Sequence, residues 1–176
     1  MGATGVDLGP GAIAAAALGV ALAAALWWLY FDDATSAAER GLHGAPRGRA
    51  QNTMARDSYS FGHLPMVVGI VLLALGAKKT LAHVGDPLRL VGAVALAGGV
   101  ALYLLAHVAF RRRTVGTIAA PRLAAAALCV LFVPVAAQIP ALAALATVTL
   151  ICAAMVAYEA VRPRDARPRP RPVPTS

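Results

Sequence analysis

The sequence predicts an all-α, multi-pass transmembrane bundle of about five spanning helices over residues 1–162, with a disordered tail over residues 163–176. Three observations predict it. The chain is 59% hydrophobic with a mean hydropathy of +0.69, too apolar for a soluble domain of 176 residues. Five apolar stretches, residues 9–31, 61–83, 88–110, 123–137 and 140–158, are separated by polar segments. The first three reach the roughly 20 residues that cross a hydrocarbon core. Finally, the bases alternate between sides. With Met1 outside, 13 of the 16 Lys and Arg residues fall inside: Arg40, Arg47, Arg49 and Arg56, then Arg111, Arg112, Arg113 and Arg122, then the five of the tail. Only Lys78, Lys79 and Arg89 fall outside. That asymmetry is the positive-inside pattern, and it sets the N-terminus outside and the C-terminus in the cytoplasm.

The first span is rich in alanine and ends in Trp27-Trp28-Leu29-Tyr30-Phe31, followed by Asp32. Aromatic side chains collect where headgroups meet hydrocarbon, so this cluster marks the cytoplasmic interface. Ala15, Gly19 and Ala23 recur every four residues and are expected to form a packing face of small side chains. No Lys or Arg precedes Arg40, so the basic n-region of a secretory signal is missing and the segment is expected to remain as a helix. Residues 32–57 lack periodicity and read as a mobile loop.

Asp57 and Ser58 are competent caps for the second span. Pro65 either opens that helix or kinks it, because its nitrogen cannot bond back to the Phe61 carbonyl. Gly62, Gly69 and Gly76, seven residues apart, form a second packing stripe. The third span starts with Asp86 as cap and Pro87 in the first helical position, and stops at Arg111-Arg112-Arg113. Gln138-Ile139-Pro140 divides the last apolar region into a helical hairpin whose first arm is short, spanning or re-entrant. In the turn, Gln138 is expected to satisfy local backbone groups. The Arg/Pro-rich tail lacks the apolar residues of a core.

Three stretches carry a family likeness: Leu26-Trp27-Trp28-Leu29-Tyr30-Phe31-Asp32, then Tyr59 to Ile70 with its His63-Leu64-Pro65 motif, then Tyr103-Leu104-Leu105-Ala106-His107-Val108 running into arginines. In this order they resemble the C-terminal half of the bacterial low temperature requirement A family of multi-pass membrane proteins. The likeness covers residues 8–162. It implies location in the bacterial plasma membrane and draws attention to the polar positions Asp32, His63 and His107. It implies no reaction. Family members are longer and open with an acidic–aromatic Glu-Leu-Phe-Phe-Asp motif that has no counterpart here, so a second copy or a missing N-terminal half is an expected partner.

With the orientation above, Asp32, His63, His107 and Glu159 all fall near the cytoplasmic ends of their helices. Imidazole beside carboxylate suits proton relay or cation coordination. Simple anchoring competes, since polar side chains near the headgroups snorkel into water at little cost. Lys78, Lys79 and His83 at the outer end of the second helix read as interface anchors. Cys129 and Cys152 lie in apolar sequence, which argues for two buried small side chains rather than a disulfide or a metal site.

The basic residues flank apolar spans without interleaved aromatics, so the partners expected are the bilayer and anionic lipids at the cytoplasmic face, not nucleic acid. No phosphate-binding glycine loop, His-Glu-x-x-His helix or Gly-x-Ser-x-Gly elbow occurs in the chain. The expectation is therefore a non-enzyme with no cofactor and no metal. Moving or sensing a small solute or ion is the leading reading; a structural or interaction protein is the alternative.

Overall fold

The computed structural model describes the backbone of residues 9–44, 49–115 and 118–161, and side chains over residues 9–31, 63–112 and 118–161. All regular structure in these residues is helical. Helix α1 is Pro10–Gly44 and α2 is Arg49–Ala82. A third rod consists of α3 (Arg89–Ala93), a π-helical turn (Val94–Gly98) and α4 (Gly99–Val115) without a break. Helices α5 (Ala120–Ala136) and α6 (Ala141–Val161) form an antiparallel hairpin. Pro10–Phe31, His63–Ala82, Arg89–Arg112 and Ala141–Val161 are long and apolar enough to cross a membrane. Helix α5, at 17 residues, is the short fifth member. At 1.5 Å per residue it is about 25 Å long, just under the roughly 30 Å of a hydrocarbon core.

The third rod is the centre of the bundle. Two thirds of its span is buried (67%), against 28%, 22% and 39% for the spans of α1, α2 and α6. Helix α2 packs along α4 and the π turn, α5 packs on the other side of α4, and α6 lies between α1 and α5. Leu96, Val100 and Leu104 are fully buried in the middle. Helices α1, α2, α5 and α6 present Val20, Trp28, Val71, Leu131 and Leu150 outward, as lipid-facing helices must.

Glycine makes the central contact close. A Cβ on Gly69 would lie 2.8 Å from the Gly99 carbonyl oxygen, and one on Gly76 would lie 2.6 Å from the Leu96 nitrogen. The α1 stripe behaves differently. Ala15 is buried, but Gly19 faces open space and Ala23 is exposed. The buried face of α1 is Ala12, Ala15, Leu22, Leu26 and Leu29. At about 100° per residue, a seven-residue step drifts by about 20° while a four-residue step drifts by about 40° in the other sense. The Ala15–Gly19–Ala23 row therefore rotates off the contact, whereas Ala15, Leu22 and Leu29 stay on it.

Helix boundaries depart from expectation at three places. Residues 32–44 and 49–57, expected as loop, are helical: α1 continues to Gly44 and α2 starts at Arg49, because no Pro or Gly pair interrupts either stretch. Asp57 and Ser58 consequently lie inside α2, as does Pro65. Asp86 does not cap the third rod. Leu88 is its N-cap, and no side chain bonds there. The Asp86 carbonyl instead accepts the Ala141 N–H at 2.9 Å, and the Val84 carbonyl accepts that of Leu142 at 3.1 Å. The loop after α2 thus satisfies two amides at the start of α6 that have no intrahelical partner, with Pro87 bridged to Pro140. Leaving this loop, Arg89 adopts a left-handed φ of 56°. Gln138 Nε2 donates to the Pro134 carbonyl at 2.9 Å, the local role expected of it.

Candidate functional site

At the end of the bundle where Phe31, Arg111 and Arg112 lie, three helices contribute rings to one cluster. Tyr30 comes from the last turn of the first span, His63 from α2, and Tyr103, His107 and Phe110 from α4. Spacings of four and then three residues put the α4 members on one helix face. The Tyr30 hydroxyl is 3.3 Å from His63 Nε2. With the imidazole proton on Nδ1, the phenol donates; with it on Nε2, or with the ring protonated, the imidazole donates. The Tyr30 ring is 6.0 Å from the His63 ring and 6.1 Å from the His107 ring, edge-on to both. Phe110 closes on His63 at 5.9 Å, and Tyr103 lies 4.8 Å from His107.

Burial grades across the cluster. His63 and Tyr30 are half-buried, Tyr103 is buried and His107 is 1% exposed. The Tyr103 hydroxyl donates to the Leu26 carbonyl at 2.9 Å, tying α4 to α1 one turn before Tyr30. Tyr30 therefore stands between a half-exposed histidine and a buried one, on a helix held in register by that bond.

Of the residues expected to converge, His63 and His107 are brought together through Tyr30. The Asp32 side chain and Gly62 lie outside the described residues. Glu159 does not join. It sits on α6 and takes a bidentate pair from Arg122 on α5: Nε to Oε1 at 3.1 Å and the terminal nitrogen to Oε2 at 3.0 Å. Arg122 is 0% exposed and Glu159 21%. The pairing has a clear electrostatic cause. Glu159, near the C-terminus of its own helix, lies beside the positive N-terminus of α5, and Arg122 lies beside the negative C-terminus of α6, so each charge suits the neighbouring helix dipole.

Cys129 and Cys152 are both fully buried and free. Among the described residues, no group of three His, Cys, Asp or Glu side chains is placed to hold a metal ion. At the opposite end of the bundle, Lys78 and Lys79 are exposed, and His83 pairs loosely with Asp86 at 3.6 Å.

Four residues of these clusters escaped the sequence reading: Tyr30, Tyr103, Phe110 and Arg122. Tyr103 stands four residues before His107, a spacing that announced a shared face. Arg122 looked like a topology charge because its chain position is right for one; Pro121 before it, which starts α5 early, is the signal that it lies inside the helix.

The family model of the bacterial low temperature requirement A protein matches residues 1–157. Among curated proteins, a stretch of 58 residues is 36% identical to Uncharacterized protein RA0937 of Rhizobium meliloti (strain 1021). That stretch covers 33% of this chain and only 13% of the relative, a much longer protein. No solved structure matches.

Proposed function

The chain belongs to the bacterial low temperature requirement A family, and we propose that it moves or senses a small solute or ion in the bacterial plasma membrane through a proton-accepting site made by Tyr30, His63 and His107. The observation that carries this reading is the Tyr30 hydroxyl, 3.3 Å from His63 Nε2 on a neighbouring helix with the His107 ring edge-on to the same phenol. Imidazole is the side chain suited to exchange protons at physiological pH, and a phenol beside it donates or accepts the hydrogen bond according to the ring's protonation. Starting from the tautomer with its proton on Nδ1, protonating His63 reverses the direction of the Tyr30 bond, and the phenol oxygen becomes the acceptor.

In this proposal the arginine-rich end faces the cytoplasm, where Arg111 and Arg112 draw anionic headgroups. The role is non-catalytic. The much longer relative, of which only 13% is matched, is consistent with a partner that completes the bundle. A second copy or a separate N-terminal half would fill that role.

Proton flux into vesicles holding the intact chain, read with a trapped pH-sensitive dye, tests the proposal. His63→Gln keeps polarity but takes up no proton near neutral pH, and it is expected to insert normally and abolish the flux. Tyr30→Phe is expected to reduce it, and Asp32→Asn to behave like His63→Gln with no further loss in the double variant, as for residues acting as one unit. Full flux in His63→Gln, or wild-type flux no greater than in empty vesicles, overturns the proposal.

A further inference from the structure

Cys129 and Cys152 lie in separate apolar runs of the chain, and the α5–α6 hairpin makes them a pair. The Arg122–Glu159 ion pair, in contact at 3.0 Å, fixes the register of one helix against the other. Seven residues are close to two full turns, so a seven-residue step from each bonded partner returns to the same helix face with a drift of about 20°. Taken inward along the antiparallel hairpin, that step leads from Arg122 to Cys129 and from Glu159 to Cys152. A second step leads to Ala136 and Leu145, which are 0% and 1% exposed, so the seam keeps this register toward the turn. Both cysteines are 0% exposed, and they lie close enough for one thiol to act on the charge of the other. At 1.5 Å per residue they sit about 10 Å inward from the ion pair, near the middle of α5.

We infer that Cys129 and Cys152 form a two-coordinate site for a soft divalent cation, mercury(II), held in line between their two thiolates. Ligand chemistry narrows the ion first. Thiolate sulfur selects soft ions, and among the described residues no set of three His, Cys, Asp or Glu side chains is placed to hold a metal. Zinc, which takes four ligands in tetrahedral sites, and the oxygen-seeking calcium and magnesium are therefore poorly served. Copper(I), silver(I) and mercury(II) are each satisfied by two sulfurs in line. Charge decides among these. A monovalent ion with two thiolates leaves a net negative charge inside the hairpin, and a buried charge without a partner is costly. Arg122 does not offset it, since it is already bound to Glu159. A divalent ion with two thiolates is neutral. Its entry is neutral as well, because mercuric chloride carries no charge and dissolves in hydrocarbon. On binding, two S–H and two Hg–Cl bonds break, two Hg–S bonds form, and two protons leave with two chlorides. No electron is transferred. This inference is independent of the histidine site.

Intact-protein mass spectrometry of the full chain in detergent, after mercuric chloride and then excess glutathione, tests it. The wild type is expected to keep one mercury per chain, because a competing monothiol must displace two sulfurs that the hairpin holds together. Cys129→Ala and Cys152→Ala leave a single thiol each and should lose the metal to glutathione. The paired change Cys152→Ala, Ala153→Cys keeps two thiols but moves one to the exposed face of α6, and it should lose the metal too. These exchanges are between small side chains, and far-UV circular dichroism checks that each variant keeps the wild-type helix content. Copper(I) and zinc, supplied in the same way, should not be retained. Loss of mercury from the wild type overturns the inference, as does equal retention by the variant with the displaced thiol. So does retention of copper(I) in place of mercury, or one mercury joining two chains.

Discussion

Adding one methyl group at two glycines of this bundle should have opposite effects. At Gly76 an added Cβ would lie 2.6, 2.7 and 2.8 Å from the Leu96 nitrogen, Cα and Cβ, whereas ordinary contacts begin at 3.4 Å. Two of those atoms are backbone at the π turn and cannot swing away. Relief requires α2 and the third rod to part by about 0.8 Å, the difference between 3.4 and 2.6 Å. Overpacking of this kind costs about 1–3 kcal/mol, and a gap of that size along the neighbouring contacts forfeits about a quarter to a half of each dispersion well. The gain in helix propensity from Gly to Ala is about 1 kcal/mol. The net for Gly76→Ala is therefore a loss of up to about 2 kcal/mol, kept above zero by the forfeited dispersion. At Gly19 nothing lies within 4 Å of the added methyl, so only the propensity term acts and Gly19→Ala should stabilise by about 0.5–1 kcal/mol. Reversible unfolding in mixed detergent micelles measures both. Equal or greater stability of Gly76→Ala than wild type would refute the close-contact reasoning, because no other term in the balance carries that sign.

The remaining predictions use other parts of the molecule. Glu159→Ala leaves the Arg122 guanidinium buried without its carboxylate and should cost about 3 kcal/mol, the lower end for a broken buried pair because water reaches the Glu159 side. The double variant Arg122→Leu, Glu159→Leu should come within about 1 kcal/mol of wild type in the same unfolding assay; a double variant as unstable as the single would refute the assignment. For topology, single-cysteine variants at Ser36 and Thr175, with Cys129 and Cys152 replaced, should resist an impermeant thiol reagent in whole cells, while one at Gly5 should react. The reverse pattern overturns the orientation.

Much of the fold was legible because it follows from solvent. Apolar length and the distribution of bases specify spans with no knowledge of partners, and the described spans fall within two or three residues of the expected ones. What stayed hidden depends on neighbours. The Ala15–Gly19–Ala23 row is as good a small-residue motif as the glycines of α2, yet only the seven-residue period follows a contact that runs nearly along the axis. The π turn at Val94–Gly98 left no mark beyond Gly98; Leu96 within it is where Gly76 of α2 approaches most closely. Asp86 before Pro87 is a sound capping pattern. It was overridden because α6, 55 residues on, needed the same loop's carbonyls.

The site was legible in its titratable members and obscure in what joins them. His63 and His107 could be named because a histidine in an apolar run is costly and visible. Tyr30 was already explained as part of an interfacial aromatic belt. That explanation holds for Trp27 and Phe31, which stack at 4.6 Å on the exposed face. It fails for Tyr30, three residues after Trp27 and one before Phe31, which is half-buried and faces His63 on α2 and His107 on α4. Glu159 was assigned to the histidines because four ionisable groups at one depth suggest one site. Depth alone does not decide which helices are adjacent, and an antiparallel hairpin with a four-residue connection makes Arg122 the neighbour. The bundle end therefore carries two polar units of different character. The Arg122–Glu159 pair is a bidentate ion pair that holds α5 to α6; the Tyr30–His63–His107 group joins three helices through a 3.3 Å contact between the Tyr30 hydroxyl and His63 Nε2 and edge-on rings, and it is the one on which the proposed proton site rests.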